Sequence, residues 1–249
     1  GNWGRDNLNA HFNDSTNCEM QLLAKDGIYI QDYPRSITSA TIPTGGRADV
    51  MVRCSVAGTY EFLDFEEKNM LTVSVTGSTV SSSDLSAWTP DYPAYLTDLT
   101  STSSTNGCDC ETAFRGCDEE DKTCVNGELF DKSLYIHTVE FGSVVQREIR
   151  GMNNHPYHQH VYPFQLVDGV DSLSDADENT YFQTGDWHDV ISMDTTGAVT
   201  GRYVADVHDG VIMLHCHILT HEDEGTMAQE LVIDGGSCAC DILYEGENN

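Results

Sequence analysis

The sequence predicts an all-β protein of Greek-key β-sandwich units, and three observations carry that expectation. Short runs rich in β-branched and aromatic residues recur between Gly, Asp, Asn and Pro, the spacing of strands and turns. No segment keeps a helical apolar period of roughly 3.6 residues for long enough to count as a helix. The length, 249 residues, exceeds one typical domain of about 100 to 150 residues and suits two packed β units. In chain order, Gly27 to Gln31 reads as a strand because it leaves an Asp26-Gly27 turn into Ile28, Tyr29 and Ile30. Ala48 to Val52 follows the Gly45-Gly46 pair, and Leu71 to Val75 alternates apolar and polar residues up to Gly77. Ser143 to Ile149 starts directly after Gly142.

Between these strands the composition changes. From about Thr76 onward the chain is rich in Ser, Thr, Asp, Pro and Cys, with an acidic cluster from Asp118 to Asp121. Such a stretch buries little apolar surface and reads as a solvated connector. The expected organisation is a partial β unit over 1–75, a connector over 76–124 and a complete β unit over 125–249. The N-terminus, Gly1-Asn2-Trp3-Gly4, lacks an initiator Met and the pattern of a signal peptide, and is read as a processed or truncated start.

Charge and cysteine usage narrow the setting. Asp and Glu number 41 against 12 Lys and Arg, a formal net charge of −29. That balance repels nucleic acid and anionic headgroups and attracts cations. No run approaches the roughly eighteen consecutive apolar residues of a membrane-spanning helix. Of nine cysteines, Cys216 stands alone between two histidines, and the other eight lie in turn-like surroundings. Eight such cysteines suit four disulfides and an oxidising location, extracellular, periplasmic or at the cell surface, with the pairing left open. The Asn13-Asp14-Ser15 sequon agrees weakly with that location.

The chemistry concentrates in two clusters. Six of the ten histidines fall in His155-Pro156-Tyr157-His158-Gln159-His160 and in His215-Cys216-His217 with His221. Imidazole is the commonest metal ligand and thiolate a soft one, so the clusters point to bound transition metal. On an extended strand His215 and His217 face one way and Cys216 the other, so one strand serves two centres. His158 and His160 share a face, with His155 set apart by Pro156. Seven ligand-type residues are too many for one four-coordinate zinc. The Cys216 side is assigned His155, Cys216 and His221, a His2Cys set of the kind that holds blue copper. His158, His160, His215 and His217 then imply a second, multinuclear copper centre. His11, His137, His188 and His208 have no partner at ligand spacing and read as ordinary surface or structural residues.

At these residues the sequence resembles the multicopper oxidases, the family of laccases, ferroxidases and bilirubin oxidases. Both His-Pro-x-His-x-His and His-Cys-His-x-x-x-His-x-x-x-Gly are present in order, the second ending at Gly225. The resemblance continues through Val125-Asn126-Gly127, Phe130-Asp131, Phe164-Gln165 and Trp187 to Val190, the span of the family's last cupredoxin domain. Leu22 to Tyr60, with Asp26-Gly27 and Gly46-Arg47-Ala48-Asp49-Val50, looks like the later part of its middle domain. The resemblance implies type 1 copper on His155, Cys216 and His221, type 2 copper on His158, and the type 3 pair on His160, His215 and His217. It also implies an enzyme that takes single electrons from a reducing substrate at type 1 and reduces dioxygen to water at the trinuclear cluster.

Two departures stand out. The family's axial type 1 position falls on Thr226, with Met227 one place later, so either Met227 reaches the copper or the axial side lacks a strong ligand. The other half of the cluster's histidines belongs to His-x-His motifs, and none occurs between Gly1 and Asn154. They are expected from a missing N-terminal domain or a neighbouring subunit, and the fragment alone is expected to be inactive. Glu222 and Asp223 follow His221 and are candidate proton donors for dioxygen reduction, or else a solvated acidic turn. The reductant, a phenol, a bilirubin-like molecule, Fe(II) or Cu(I), stays open, and a type 1 electron-transfer module without oxidase activity is the alternative function.

Overall fold

The computed structural model describes residues 1–244 except 3, 5, 79–85, 87–88, 118–121, 173–180 and 193–196. The acidic cluster at 118–121 therefore lies outside the described residues. The first part contributes β1 (Leu8–Phe12), β2 (Cys18–Lys25), β3 (Ile28–Tyr29), β4 (Arg35–Ile37), β5 (Ser39–Ile42), β6 (Ala48–Cys54), β7 (Gly58–Leu63) and β8 (Asn69–Val75). One sheet runs β5-β1-β7-β8; in the other, β2 takes β3, β4 and β6 as partners. Alternation explains the inward face of β2, where Cys18, Met20 and Leu22 are buried and Glu19 is exposed.

Later residues form β9 (Cys110–Gly116), β10 (Thr123–Val125), β11 (Leu134–Glu140), β12 (Val144–Arg150), β13 (Tyr157–Gln159), β14 (Phe164–Asp168), β15 (Trp187–His188), β16 (Val190–Ile191), β17 (Ala198–Val204), β18 (Gly210–Cys216), β19 (Met227–Ile233) and β20 (Leu243–Tyr244). They build two six-stranded sheets, β10-β9-β12-β17-β14-β15 and β16-β13-β18-β19-β11-β20. The β11–β19 and β9–β12 pairs are parallel, so strands distant in sequence lie side by side as in a Greek key. A five-residue helix, α1 (Leu219–Asp223), follows β18. Among the described residues no helix is long and apolar enough to cross a membrane. The all-β expectation holds.

The expected connector differs from the structure in its second half. Cys110–Gly116 and Thr123–Val125 are strands of the last sandwich, and Cys110, Ala113, Phe114, Cys124 and Val125 are buried. Composition averaged over the whole stretch hides one strand, with Thr112, Ala113 and Phe114 buried in succession, within polar flanks. The eight cysteines pair as Cys18–Cys54, Cys108–Cys238, Cys110–Cys240 and Cys117–Cys124, leaving Cys216 free and buried.

Two buried ionic clusters organise the core. On β12 the inward positions are Val145, Arg147 and Ile149, so Arg147 enters the sandwich. It pairs with Glu230 of β19 and donates to His137 Nδ1, while His137 Nε2 donates to the Glu111 carbonyl at 3.0 Å. Burial and the neighbouring Arg147 charge push His137 down to about 4, keeping it neutral. Between the two parts of the chain, Arg35 Nη1 and Nη2 donate to Asp186 at 2.9 and 2.8 Å, and Lys25 joins the same carboxylate.

These clusters set an acid sensitivity. Burial alone raises the Asp186 and Glu230 carboxyls, but Lys25 and Arg35 in one case and Arg147 in the other outweigh it and hold both at about 2. A carboxyl lowered on folding stabilises above its unfolded value near 4, and that contribution disappears as pH falls through about 2. His137 acts in the same direction: below about 6.5 the unfolded chain takes up a proton that the folded chain refuses. The thermal unfolding midpoint is therefore expected to fall as pH drops below about 6.5 and more steeply below about 4, each carboxylate accounting for on the order of 2 kcal/mol. A calorimetric midpoint unchanged from pH 7 to 3 contradicts this account.

Candidate metal centre

Strand β18 ends in His215 and Cys216, and its antiparallel neighbour β13 supplies the facing residues. Tyr157 lies opposite Cys216 and His158 opposite His215. Directly opposed residues share a face, so His158 and His215 stand on one side of the sheet and Cys216 on the other. The backbone ladder continues past the strand ends, His160 N donating to Met213 O at 3.0 Å and His217 N to Pro156 O at 2.8 Å.

On the Cys216 face, Sγ lies 3.6 Å from Nδ1 of His155 and 3.6 Å from Nδ1 of His221, and the two Nδ1 atoms are 3.2 Å apart. His155 arrives from the turn before Pro156, and α1 brings His221 back over the strand end. A metal with bonds of roughly 2.0 to 2.3 Å to nitrogen and sulfur spreads three ligands about 3.5 to 3.7 Å apart, so this triangle fits one ion. Burial pushes the Cys216 thiol up to about 11 and His155 down to about 4. A thiolate therefore forms here only with a cation beside it, and the His2Cys donor set matches copper.

Thr226 and Met227 separate at this point. Cys216 N donates to Thr226 O at 3.0 Å, while Met227 is registered opposite His215. Alternation places Met227 on the His215 side of β19, and the Thr226 hydroxyl is turned to the Thr123 carbonyl at 2.8 Å. Thr123 in turn reaches His155 Nε2 at 3.3 Å.

The opposite face gathers the other imidazoles. His160 Nε2 and His215 Nε2 lie 3.2 Å apart, and the His158 ring is 4.8, 5.0 and 5.2 Å from those of His160, His215 and His217. Ligand atoms of His158, His160 and His215 all fall within 4.8 Å of one another. His158 Nδ1 donates to Asp189 O at 2.8 Å and His215 Nδ1 to Cys216 O at 3.1 Å, which frees each Nε2 as a ligand. Burial, with the crowding of neighbouring imidazoles, pushes His158 down to about 3 and lowers His215. The lowering of His158 and His215 disfavours their protonated forms, which suits cationic metal on this face as well. Glu222 joins it, one carboxylate oxygen 3.4 Å from His215 Nδ1, whereas Asp223 is exposed.

Several groups around the centre come from segments to which the sequence reading gave no role. Arg47 holds Asp189 with two hydrogen bonds, 3.0 and 2.6 Å, and Asp26 accepts from the Asp189 amide at 3.1 Å. Burial and the nearby Asp26 raise the Asp189 carboxyl against the pull of Arg47. Gly45, at φ +86°, lies so close to His217 that an added Cβ falls 2.4 Å from the ring. Asp26, Arg47 and Asp189 all lie in stretches noted for their resemblance, but only the fold links them to His158. An open depression of about 420 Å³ beside His158 and His160 is lined by Asp26, Tyr95 and Asp189 among others. Of the isolated histidines, His137 and His188 are buried, His188 lying 3.6 Å from Asp26, while His11 is half-buried and His208 exposed.

Known proteins resemble the chain in sequence and in fold. The sequence profile described as multicopper oxidase matches residues 89–236. Laccase-3 of Oryza sativa subsp. japonica is 32% identical over 109 residues, 40% of this chain and 19% of that protein. The iron transport multicopper oxidase fio1 of Schizosaccharomyces pombe is 28% identical over 95 residues, 36% of this chain and 15% of that protein. Among solved structures, a multi-copper oxidase from Pediococcus acidilactici superposes with a TM-score of 0.72 at 22% identity, covering 92% of this chain and 46% of that one. The chain spans about a fifth of the length of the curated relatives it matches and about half of the solved structures. With the profile running through both histidine motifs and over more than half of its length, the chain belongs to the multicopper oxidase family.

Proposed function

We propose that this chain is the electron-entry half of a copper oxidase that takes single electrons from a small reducing substrate and reduces dioxygen to water. The observation that supports it best is the two-sided use of one strand, Cys216 facing His155 and His221 while His215 faces His158 and His160. Copper bound to the first set would accept electrons one at a time and, bound to the second, would pass them to dioxygen. We read the first set as type 1, His158 as a type 2 ligand, and His160, His215 and His217 as ligands of the type 3 pair. The register favours Thr226 over Met227 on the axial side, leaving that position without a strong donor.

The protein's own groups have definable tasks. Cys216 joins the two faces covalently through its backbone to His215 and His217. Asp189 and the Cys216 carbonyl fix the tautomers of His158 and His215. Glu222 stands where it can hold a proton for delivery at the His215 side. The remaining cluster histidines come from an N-terminal domain or another subunit. We place the domains at 1–75 and at the last sandwich, to which β9 and β10 belong. The four disulfides favour an extracellular or otherwise oxidising location. The acidic charge leans toward a metal-ion reductant over a phenol.

Copper reconstitution of the purified chain tests this reading. The expected product is intensely blue, holds near one tightly bound copper per chain, and gives no sustained oxygen uptake until the missing histidines are supplied. Turnover by the chain alone overturns the division of ligands, and continued lack of uptake after supplementation favours a pure electron-transfer module.

A further inference from the structure

Outside the two histidine clusters, the chain carries two Cys-x-Cys pairs, Cys108-Asp109-Cys110 ahead of and into β9 and Cys238-Ala239-Cys240 after β19. Residues two apart on extended chain point the same way, so each pair offers both sulfurs to the other. All four sulfurs lie within 4.8 Å of one another, and Cys108 Sγ and Cys110 Sγ, which are not bonded to each other, are 3.7 Å apart. Tetrahedral zinc with Zn–S bonds of about 2.3 Å holds its sulfurs about 3.8 Å apart, so this unbonded separation already suits a metal. Two of the other five separations are the disulfides Cys108–Cys238 and Cys110–Cys240.

The cage has supports besides those bonds. Thr138 and Ala239 exchange backbone hydrogen bonds at 3.0 and 3.1 Å, and the Thr138 hydroxyl donates to Ser237 O at 3.0 Å. On the other side β9 is paired with β12 through Cys110 and Arg147. Asn106, 2% exposed, donates its amide Nδ2 to Cys238 Sγ at 2.8 Å, while its Oδ1 accepts from Glu140 N and the Ser143 hydroxyl. A buried amide held by two acceptor contacts and aimed at sulfur is a group that stabilises thiolate charge. Cys110 is buried and Cys240 exposed, so the cluster is anchored inside and reachable from solvent.

We propose that Cys108, Cys110, Cys238 and Cys240 form a second metal site, a tetrathiolate for Zn(II), which alternates with the paired disulfides. Two equivalents of a dithiol reductant deliver four electrons and four protons, break both S–S bonds and leave four thiols and two equivalents of oxidised dithiol. Zn(II) then replaces the four thiol protons, which pass to solvent. Reoxidation of the four sulfurs by a small disulfide, itself reduced to thiols, restores the S–S bonds and releases the ion. The site fastens the C-terminal tail to β9 in either form.

The test uses the full chain carrying Cys216→Ser, reduced without denaturant and titrated anaerobically with Cd(II), whose thiolate charge-transfer band reports sulfur ligation that imidazole cannot imitate. The tightest Cd(II) is expected at one per chain with the β-sheet circular dichroism retained, and Zn(II) is expected to displace it. Cys110→Ser with Cys240→Ser should abolish this tight site, Cys18→Ser with Cys54→Ser should leave it, and Asn106→Ala should weaken it roughly 10- to 100-fold. Should the double-serine chain fail to fold, the Asn106→Ala affinity decides. A tight site that ignores Asn106→Ala, a reduced chain that loses its sheet signal before metal is added, or a chain that takes Cu(I) and refuses Zn(II) overturns the proposal.

Discussion

Cys216→Ser is expected to abolish the blue absorbance of the copper-loaded chain completely, and any oxidase activity of the completed assembly with it, while the fold survives. The colour of such a site belongs to the copper–thiolate bond, and Cys216 supplies the set's sulfur at 3.6 Å from both imidazole nitrogens. Serine is slightly smaller and can hydrogen-bond either Nδ1, so the cost to stability should stay near 1 kcal/mol. The matching variant on the other face is His215→Ala. It should leave the blue band in place and still remove oxygen reduction, because His215 turns toward His158 and His160. Absorbance and oxygen-electrode traces on the two proteins form a single comparison. A band that persists without the sulfur, or one that vanishes with His215→Ala, is incompatible with two centres on one strand.

Glu230→Ala should produce the largest loss of stability, about 3 to 5 kcal/mol. Glu230 has no solvent exposure, accepts from Tyr203 and Arg147, and lies 3.5 Å from His137 Nδ1. Removing it leaves the Arg147 guanidinium buried without its counter-charge, next to a histidine that cannot take up negative charge. Arg147 Nε already has no hydrogen-bond partner. Replacing both ions together, Arg147→Met with Glu230→Leu, should restore most of the loss, since the isolated charge and not the missing contact is what costs most. Urea unfolding of the single and double variants measures the difference. Equal destabilisation of both points instead to shape as the dominant factor.

Much of the candidate centre was legible because its histidines and cysteine are close in sequence and follow strand alternation. His215, Cys216 and His217 define opposite faces without any knowledge of the sheet, and His158 and His160 follow the same rule. The supporting groups were not legible, because they depend on which strands become neighbours. Asp189 reaches His158 only through pairing of β13 with β16, and Arg47 arrives from more than a hundred residues upstream. Alternation also places Arg147 inward at a position where charge alone argues for solvent. Cys110–Gly116 was obscured by its polar surroundings, and the disulfide partner of Cys110 lies 130 residues away.

The close approach of Gly45 to the His217 ring limits how this protein can be recombined. Any other amino acid at position 45 needs both a left-handed backbone and room that the imidazole already fills. An unrelated sandwich grafted in place of the first 75 residues, however stable, would have to offer a bare backbone at this one point. The His217 ring is thus fitted to one bare turn of backbone, and a replacement for that segment has to reproduce it.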